Sequence, residues 1–197
     1  NCMNVAMDDL ADDALVREAK KGSLEAFSAL CRRYQERVYF TILRFTKNPV
    51  DADDLTQETF MSAFKSLGQF KKKSTFYTWI YRIAVNKSLN FLKKKDRERE
   101  LVGFEDNRVP GESSPGAAGS PERSSIGGET AAEIEGAIDA LPPSFKAPFV
   151  LVVNQGLSHR EAAEALGCSE NAVSWRMHKA RKLLRARLER FLNGSRK

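Results

Sequence analysis

Apolar residues along the chain recur at helical rather than strand spacing. Phe27, Leu30, Cys31, Tyr34 and Val38 fall at i, i+3, i+4, i+7 and i+11, one stripe on one helix. Gly22 and Ser23 precede it, and Ser23 can cap its first turn. Asn48 and Pro49 break that helix. A second helix is predicted from about Asp51 to Leu67, with Phe60, Ala63, Phe64 and Leu67 on one face and Gly68 as its stop. A loop over Gln69 to Lys73 leads to Ser74 or Thr75 as the next cap. The helix beyond runs to about Arg99 and turns Ile80, Ile83, Ala84 and Phe91 inward.

From Gly103 to Glu129 the periodicity disappears. This stretch holds Pro110, Pro115 and Pro121, many Gly and Ser, and almost no large apolar residue after Phe104. Such a composition cannot bury enough surface to offset its ordering entropy. A flexible linker is expected over 101–130, between bodies at 8–100 and 131–193. In the second body, Leu141, Pro142 and Pro143 introduce a helix expected from Ser144 to Gln155 and ended by Gly156. Pro148 then falls at the end of its first turn, where proline is tolerated. The apolar, β-branched run from Phe149 to Val153 fits a short buried helix as well as a strand.

Ser158 and Glu161 have the spacing of a capping box; Ala162, Ala163 and Leu166 lie inward and Gly167 terminates the helix. After a tight turn at Cys168 and Ser169, a long basic helix runs from near Glu170 to about Leu192, with Val173, Met177, Ala180 and Leu184 inward. Helix, short Gly-containing turn and longer basic helix make the helix-turn-helix order. The expected fold class is all-α: two small helical domains joined by a flexible linker, the C-terminal one a helix-turn-helix.

Composition narrows the function. The 197 residues carry 32 Lys+Arg against 26 Asp+Glu, a net charge of +6 that suits a polyanionic partner. Basic clusters stand at Lys71 to Lys73, at Lys93 to Lys95, and along Arg176 to Arg190. No apolar run approaches the ~20 residues that cross a bilayer, so no membrane insertion is expected. The first thirteen residues have no apolar core, so no secretory leader is expected either. Cys2, Cys31 and Cys168 are far apart and show no zinc spacing, as reduced thiols of a cytoplasmic protein would. With His159 and His178 the only histidines, neither metal nor cofactor is expected.

Three segments carry candidate chemistry. On the final helix, Ser174, Trp175, His178, Lys179 and Arg181 fall off the apolar stripe, and those near its start can meet base edges. Arg176, Lys182 and Arg185 can meet phosphates, as can Arg160 at the start of the preceding helix. The block from Asp51 to Glu58 has three readings. Asp54 and Glu58, i and i+4, could serve acid/base or metal chemistry. The acids could offset a helix dipole. The block could also dock a basic protein surface. In the third segment, Phe70 to Arg82, lysines interleave with aromatics, the pairing that holds unpaired bases by stacking and phosphates by charge. Trp79, Arg82, Asn86, Asn90 and Lys93 share one wet helix face there. Phe76 is read as core, whereas Phe70 and Trp79 fit binding and packing about equally.

The segments from Asp51 to Phe60 and from Thr75 to Asn86 resemble the core-binding and promoter-opening segments of extracytoplasmic-function sigma factors. The C-terminal body resembles their second DNA-binding domain, through Leu141-Pro142, Gly156-Leu157-Ser158, Leu166-Gly167 and Lys179-Ala180-Arg181. The resemblance covers both bodies in the family's order.

It implies a transcription initiation factor, not an enzyme, that binds core RNA polymerase and promoter DNA. It implies that Asp51, Asp53, Asp54, Gln57 and Glu58 dock on the polymerase clamp. It implies that Phe70, Lys71, Lys72, Lys73 and Ser74, with Trp79, Arg82, Asn86, Asn90 and Lys93, hold opened bases of the −10 element. For the −35 duplex it implies Arg160, Ser174, Arg176, His178, Lys179 and Arg181. Glu105, Asp106, Glu112, Glu122 and Glu129 outnumber Arg108 and Arg123 in the linker, a polarity suited to a positively lined polymerase channel. An anti-sigma partner and a monomeric free state are further family expectations. The sequence departs from the family at Glu170-Asn171-Ala172, at Ser174 and at Trp175, which bears on the −35 sequence rather than on the domain.

The residues admit two rival readings. An ordinary helix-turn-helix regulator with a sensing or dimerising N-terminal body leaves the acidic block and the aromatic-lysine segment unexplained. A metal-dependent nuclease would use Asp54 and Glu58.

Overall fold

The structure is a computed structural model that describes residue 7 and residues 9–71, 74–102 and 125–194. Eight α-helices are described: α1 (Asp12–Lys20), α2 (Leu24–Thr46), α3 (Pro49–Ser66), α4 (Phe76–Val102), α5 (Ser125–Asp139), α6 (Pro143–Phe149), α7 (His159–Leu166) and α8 (Glu170–Gly194). No strand occurs among the described residues.

Local chemistry sets the helix ends. Ser23 Oγ accepts from the Ala26 amide at 3.2 Å and starts α2. Asn48 Oδ1 accepts from the Val50 amide at 2.8 Å, and Pro49 follows as the first helical residue of α3. Thr75 Oγ1 accepts from the Thr78 amide at 3.1 Å and opens α4. Each such cap is worth about 1 kcal/mol. Ser158 and Glu161 form the expected capping box of α7. Gly156 and Gly167 close their helices at φ of 71° and 64°, where a side chain would be strained.

In the N-terminal body, α2 lies at the centre and packs against α1, α3 and α4. Leu15, Val16, Leu30, Val38, Ile42, Ile80, Tyr81 and Val85 are completely buried there. In the C-terminal body, α8 packs against α5, α6 and α7. Its stripe of Val173, Met177 and Ala180 is buried with Val150, Leu151 and Ala162. The two bodies touch: α7 packs on α4, Arg44 pairs with Glu135 at 2.9 Å, and Tyr77 donates its hydroxyl to the Gln155 carbonyl. Lys146 is buried, paired with Asp139 at 2.8 Å and placed over the Phe45 ring at 5.9 Å.

Several expectations change. Phe64 lies on the solvent side of α3, 47% exposed, with its edge on the Phe27 ring at 5.0 Å. The stop after α3 is a 3₁₀ turn, Leu67–Gln69, and Gly68 has no left-handed backbone. The helix expected from Ser144 to Gln155 divides into α6 and a π turn, Val150–Asn154. Pro148 lacks an N–H and crowds the preceding turn, so the ladder regains its bonds in a wider register just beyond it. α5 begins at Ser125, inside the segment expected as linker. Gly127 and Gly128 conceal that start from a propensity reading.

Candidate functional site

Three solvent-facing surfaces gather the candidate residues. The first is the outer side of α3. Ala52, Leu55, Thr59 and Ala63 are buried and fix its orientation. Asp53, Asp54, Gln57 and Glu58 therefore face solvent. Asp51 is half-buried and pairs with Lys95 at 3.4 Å, while Glu58 pairs with Lys87 at 2.9 Å. Both pairs tie α3 to α4, so the acids orient neighbours as well as present charge.

Val50 and Met61 share this face, 68% and 58% exposed. With Asp54, Gln57 and Phe64 they fall at i, i+4, i+7, i+11 and i+14. Sequence reasoning missed Val50 and Met61 as surface residues. The signal was present: both are in register with the acids rather than with Ala52 and Leu55. An apolar stripe edged by carboxylates is the composition of a protein-docking surface.

The second surface is the outer side of α4. Arg82, Asn86, Asn90 and Lys93 are exposed on one stripe, and Trp79 is half-exposed at its N-terminal end. The Trp79 ring stands against Phe70 at 5.0 Å and Phe76 at 5.7 Å. Phe70 is only 4% exposed and Phe76 2%, so both rings prop the indole from behind. Lys20 donates to the Phe70 carbonyl and lies over its ring at 5.8 Å, which anchors the loop to α1. Phe70 is thus placed inside the domain, where packing outweighs stacking on a base. Lys71 is exposed and Ser74 half-buried, whereas Lys72 and Lys73 lie outside the described residues. The linker acids Glu105, Asp106, Glu112 and Glu122 lie outside them as well.

The third surface is the outer side of α8 with the start of α7. His178, Lys179 and Arg181 are exposed, as is Arg160, which lies 3.8 Å from Glu164. Ser174 and Arg176 are engaged within the domain. Ser174 Oγ lies 2.9 Å from His159 Nδ1, and Arg176 donates to the Cys168 sulfur at 3.6 Å. The Cys31 thiol, half-buried in α2, is pushed up to about 11 by burial and is not a reactive group at neutral pH.

Among the described residues, no group of three or more His, Cys, Asp and Glu could hold a metal ion. None of the described helices is long and apolar enough to cross a membrane.

Both bodies of the chain have counterparts among known proteins. Residues 30–98 match Sigma-70 region 2, and residues 131–184 match Sigma-70, region 4. The chain is 30% identical over 184 residues to the RNA polymerase sigma-H factor of Pseudomonas aeruginosa, covering 92% of this chain and 95% of that one. It is 31% identical over 180 residues to the ECF RNA polymerase sigma-E factor of Escherichia coli K12, covering 90% and 94%. Among solved structures, CnrH in complex with the cytosolic domain of CnrY superposes with a TM-score of 0.66 at 26% identity, over 90% of this chain and 97% of that one. With both regions matched in order and relatives aligned nearly end to end, the chain belongs to the extracytoplasmic-function RNA polymerase sigma factors, non-enzymatic initiation factors that bind core polymerase and direct it to promoters.

Proposed function

We propose a division of labour among the three surfaces. The α3 face docks on core polymerase through Asp53, Asp54, Gln57 and Glu58, with Val50 and Met61 supplying apolar contact and Asp51 holding Lys95 in place. The α4 face holds opened bases of the −10 element: Trp79 stacks, Asn86 and Asn90 hydrogen-bond, and Lys71, Arg82 and Lys93 meet phosphates. The α8 face enters the major groove of the −35 element with His178, Lys179 and Arg181, while Arg160 meets phosphate from α7.

The observation that carries this proposal is the single stripe of Trp79, Arg82, Asn86, Asn90 and Lys93, with its indole propped by two buried rings. A preorganised aromatic beside two amides is the arrangement that captures unstacked bases. The domains are proposed at 8–100 and 131–193, and the free protein as a cytoplasmic monomer. An anti-sigma partner is proposed too, because the exposed Phe40 and Val153 line one cavity with Arg37 and Gln155 where the two domains meet.

Binding of core polymerase by the full chain separates this proposal from an ordinary helix-turn-helix regulator. Wild type should capture the core enzyme, and Asp54→Lys with Glu58→Lys should lose it while keeping its helical circular dichroism. Unchanged capture by the double variant contradicts the α3 assignment.

A further inference from the structure

The outward face of α8 holds a large aromatic residue that none of these roles uses. Val173, Met177 and Ala180 are completely buried and fix the side of α8 that faces the domain. At about 100° per residue, the opposite side runs through Asn171, Trp175, His178, Lys179 and Lys182. Trp175 lies at its centre and is 55% exposed. The flanks are tied back, Ser174 to His159 at 2.9 Å and Arg176 to Cys168 at 3.6 Å. The sector between them is what a duplex would meet.

The indole is held on this surface. Phe145 stands 5.9 Å from it at an interplanar angle of 60°, and Lys179 Nζ lies 5.7 Å from the ring centroid. A large apolar ring is thus fixed, half in water, in the middle of a polar face.

We propose that Trp175 reads a thymine of the −35 element through its C5-methyl group. Indole has one N–H donor and no acceptor, so it cannot match the paired donor and acceptor pattern of an adenine edge. The thymine methyl is the apolar feature of the major-groove floor, and an indole against it is buried without stranding a polar group. This inference rests on the assignment of α8 to the major groove.

The test uses holoenzyme reconstituted from the full chain and core polymerase. Promoter duplexes randomised over the upstream element are selected for binding, and each thymine of the selected motif is then replaced by deoxyuridine. At one thymine, wild type should lose about fourfold in affinity, the worth of one buried methyl group. Trp175→Gln should be insensitive at that position, and Trp175→Phe should retain part of the response. A selected motif whose thymines all tolerate deoxyuridine, or a Trp175→Gln variant as sensitive as wild type, overturns the proposal and leaves the groove assignment standing. Selection of no upstream motif overturns both.

Discussion

Tyr81, in the second turn of α4, donates its hydroxyl to Gln155 Oε1 across 2.8 Å. The helix proposed to hold the −10 element is therefore bonded, from its back, to the segment leading into the helix-turn-helix. The Tyr81 ring is completely buried and meets Tyr77 edge-on at 4.7 Å. Burial, reinforced by Tyr77, raises the Tyr81 phenol well above its ordinary range, so its hydroxyl remains a donor at any physiological pH.

This contact sets a condition for promoter binding. Elements some 25 base pairs apart are separated by about 85 Å of duplex. A packed chain of this length is only roughly 40 Å across. The domains must part, and segment 103–124 can span at most about 75 Å. Dyes placed on exposed Glu36 and Lys182 should therefore show energy transfer in the free protein that falls when holoenzyme binds a promoter. Gln155→Ala should lower the transfer in the free protein as well. Unchanged transfer on promoter binding contradicts the opening.

Phe70 and Trp79 should separate cleanly on substitution. Phe70→Ala removes a buried ring and should cost about 3–5 kcal/mol in urea unfolding. Trp79→Ala should cost less stability but remove about 1–3 kcal/mol of binding to a single-stranded −10 oligonucleotide by holoenzyme. Equal loss of stability by the two variants would place Trp79 with the core.

On α3, charge and apolar contact should be distinguishable by kinetics. Asp54→Lys should slow association with core polymerase, and the slowing should shrink as salt rises. Met61→Ala should instead speed dissociation with little salt dependence. A Met61→Ala variant indistinguishable from wild type would remove that residue from the interface.

The caps and the helix-turn-helix were legible in the sequence because they depend on neighbours three or four residues apart, as with Ser158 and Glu161. Phe70 was not, because one aromatic in a lysine-rich loop serves a base or a core equally well until the third dimension places Phe76 and Trp79 beside it. Met61 was overlooked since an apolar residue in a helix is assigned inward by default. The π turn after Phe149 depends on how Pro148 disturbs a ladder already formed, which no residue pattern displays. The engagement of Ser174 by His159 links residues fifteen apart across the turn and is likewise tertiary.

Lys146 gives a pH dependence with a definite sign. Burial lowers its ammonium below the ordinary value of 10.5, against the opposing pull of Asp139. Between the lowered value and 10.5 the unfolded chain binds more protons than the folded one, so stability rises with pH there. The contribution is most favourable above 10.5 and falls away as pH drops through the lowered value. Urea unfolding of wild type should show a rise as pH climbs towards 10.5 that Lys146→Met lacks. Parallel curves for the two proteins contradict this.

The most direct measurement is photocrosslinking from a benzophenone placed at Asn86, on the exposed stripe of α4. Melting base pairs costs more than one indole and two amides return, so strand capture should require polymerase. The expected result is a crosslink to one strand of the −10 element that appears only when core polymerase is present. A crosslink of equal yield without polymerase, or none within the −10 element, would contradict the assignment of α4 to the opened strand.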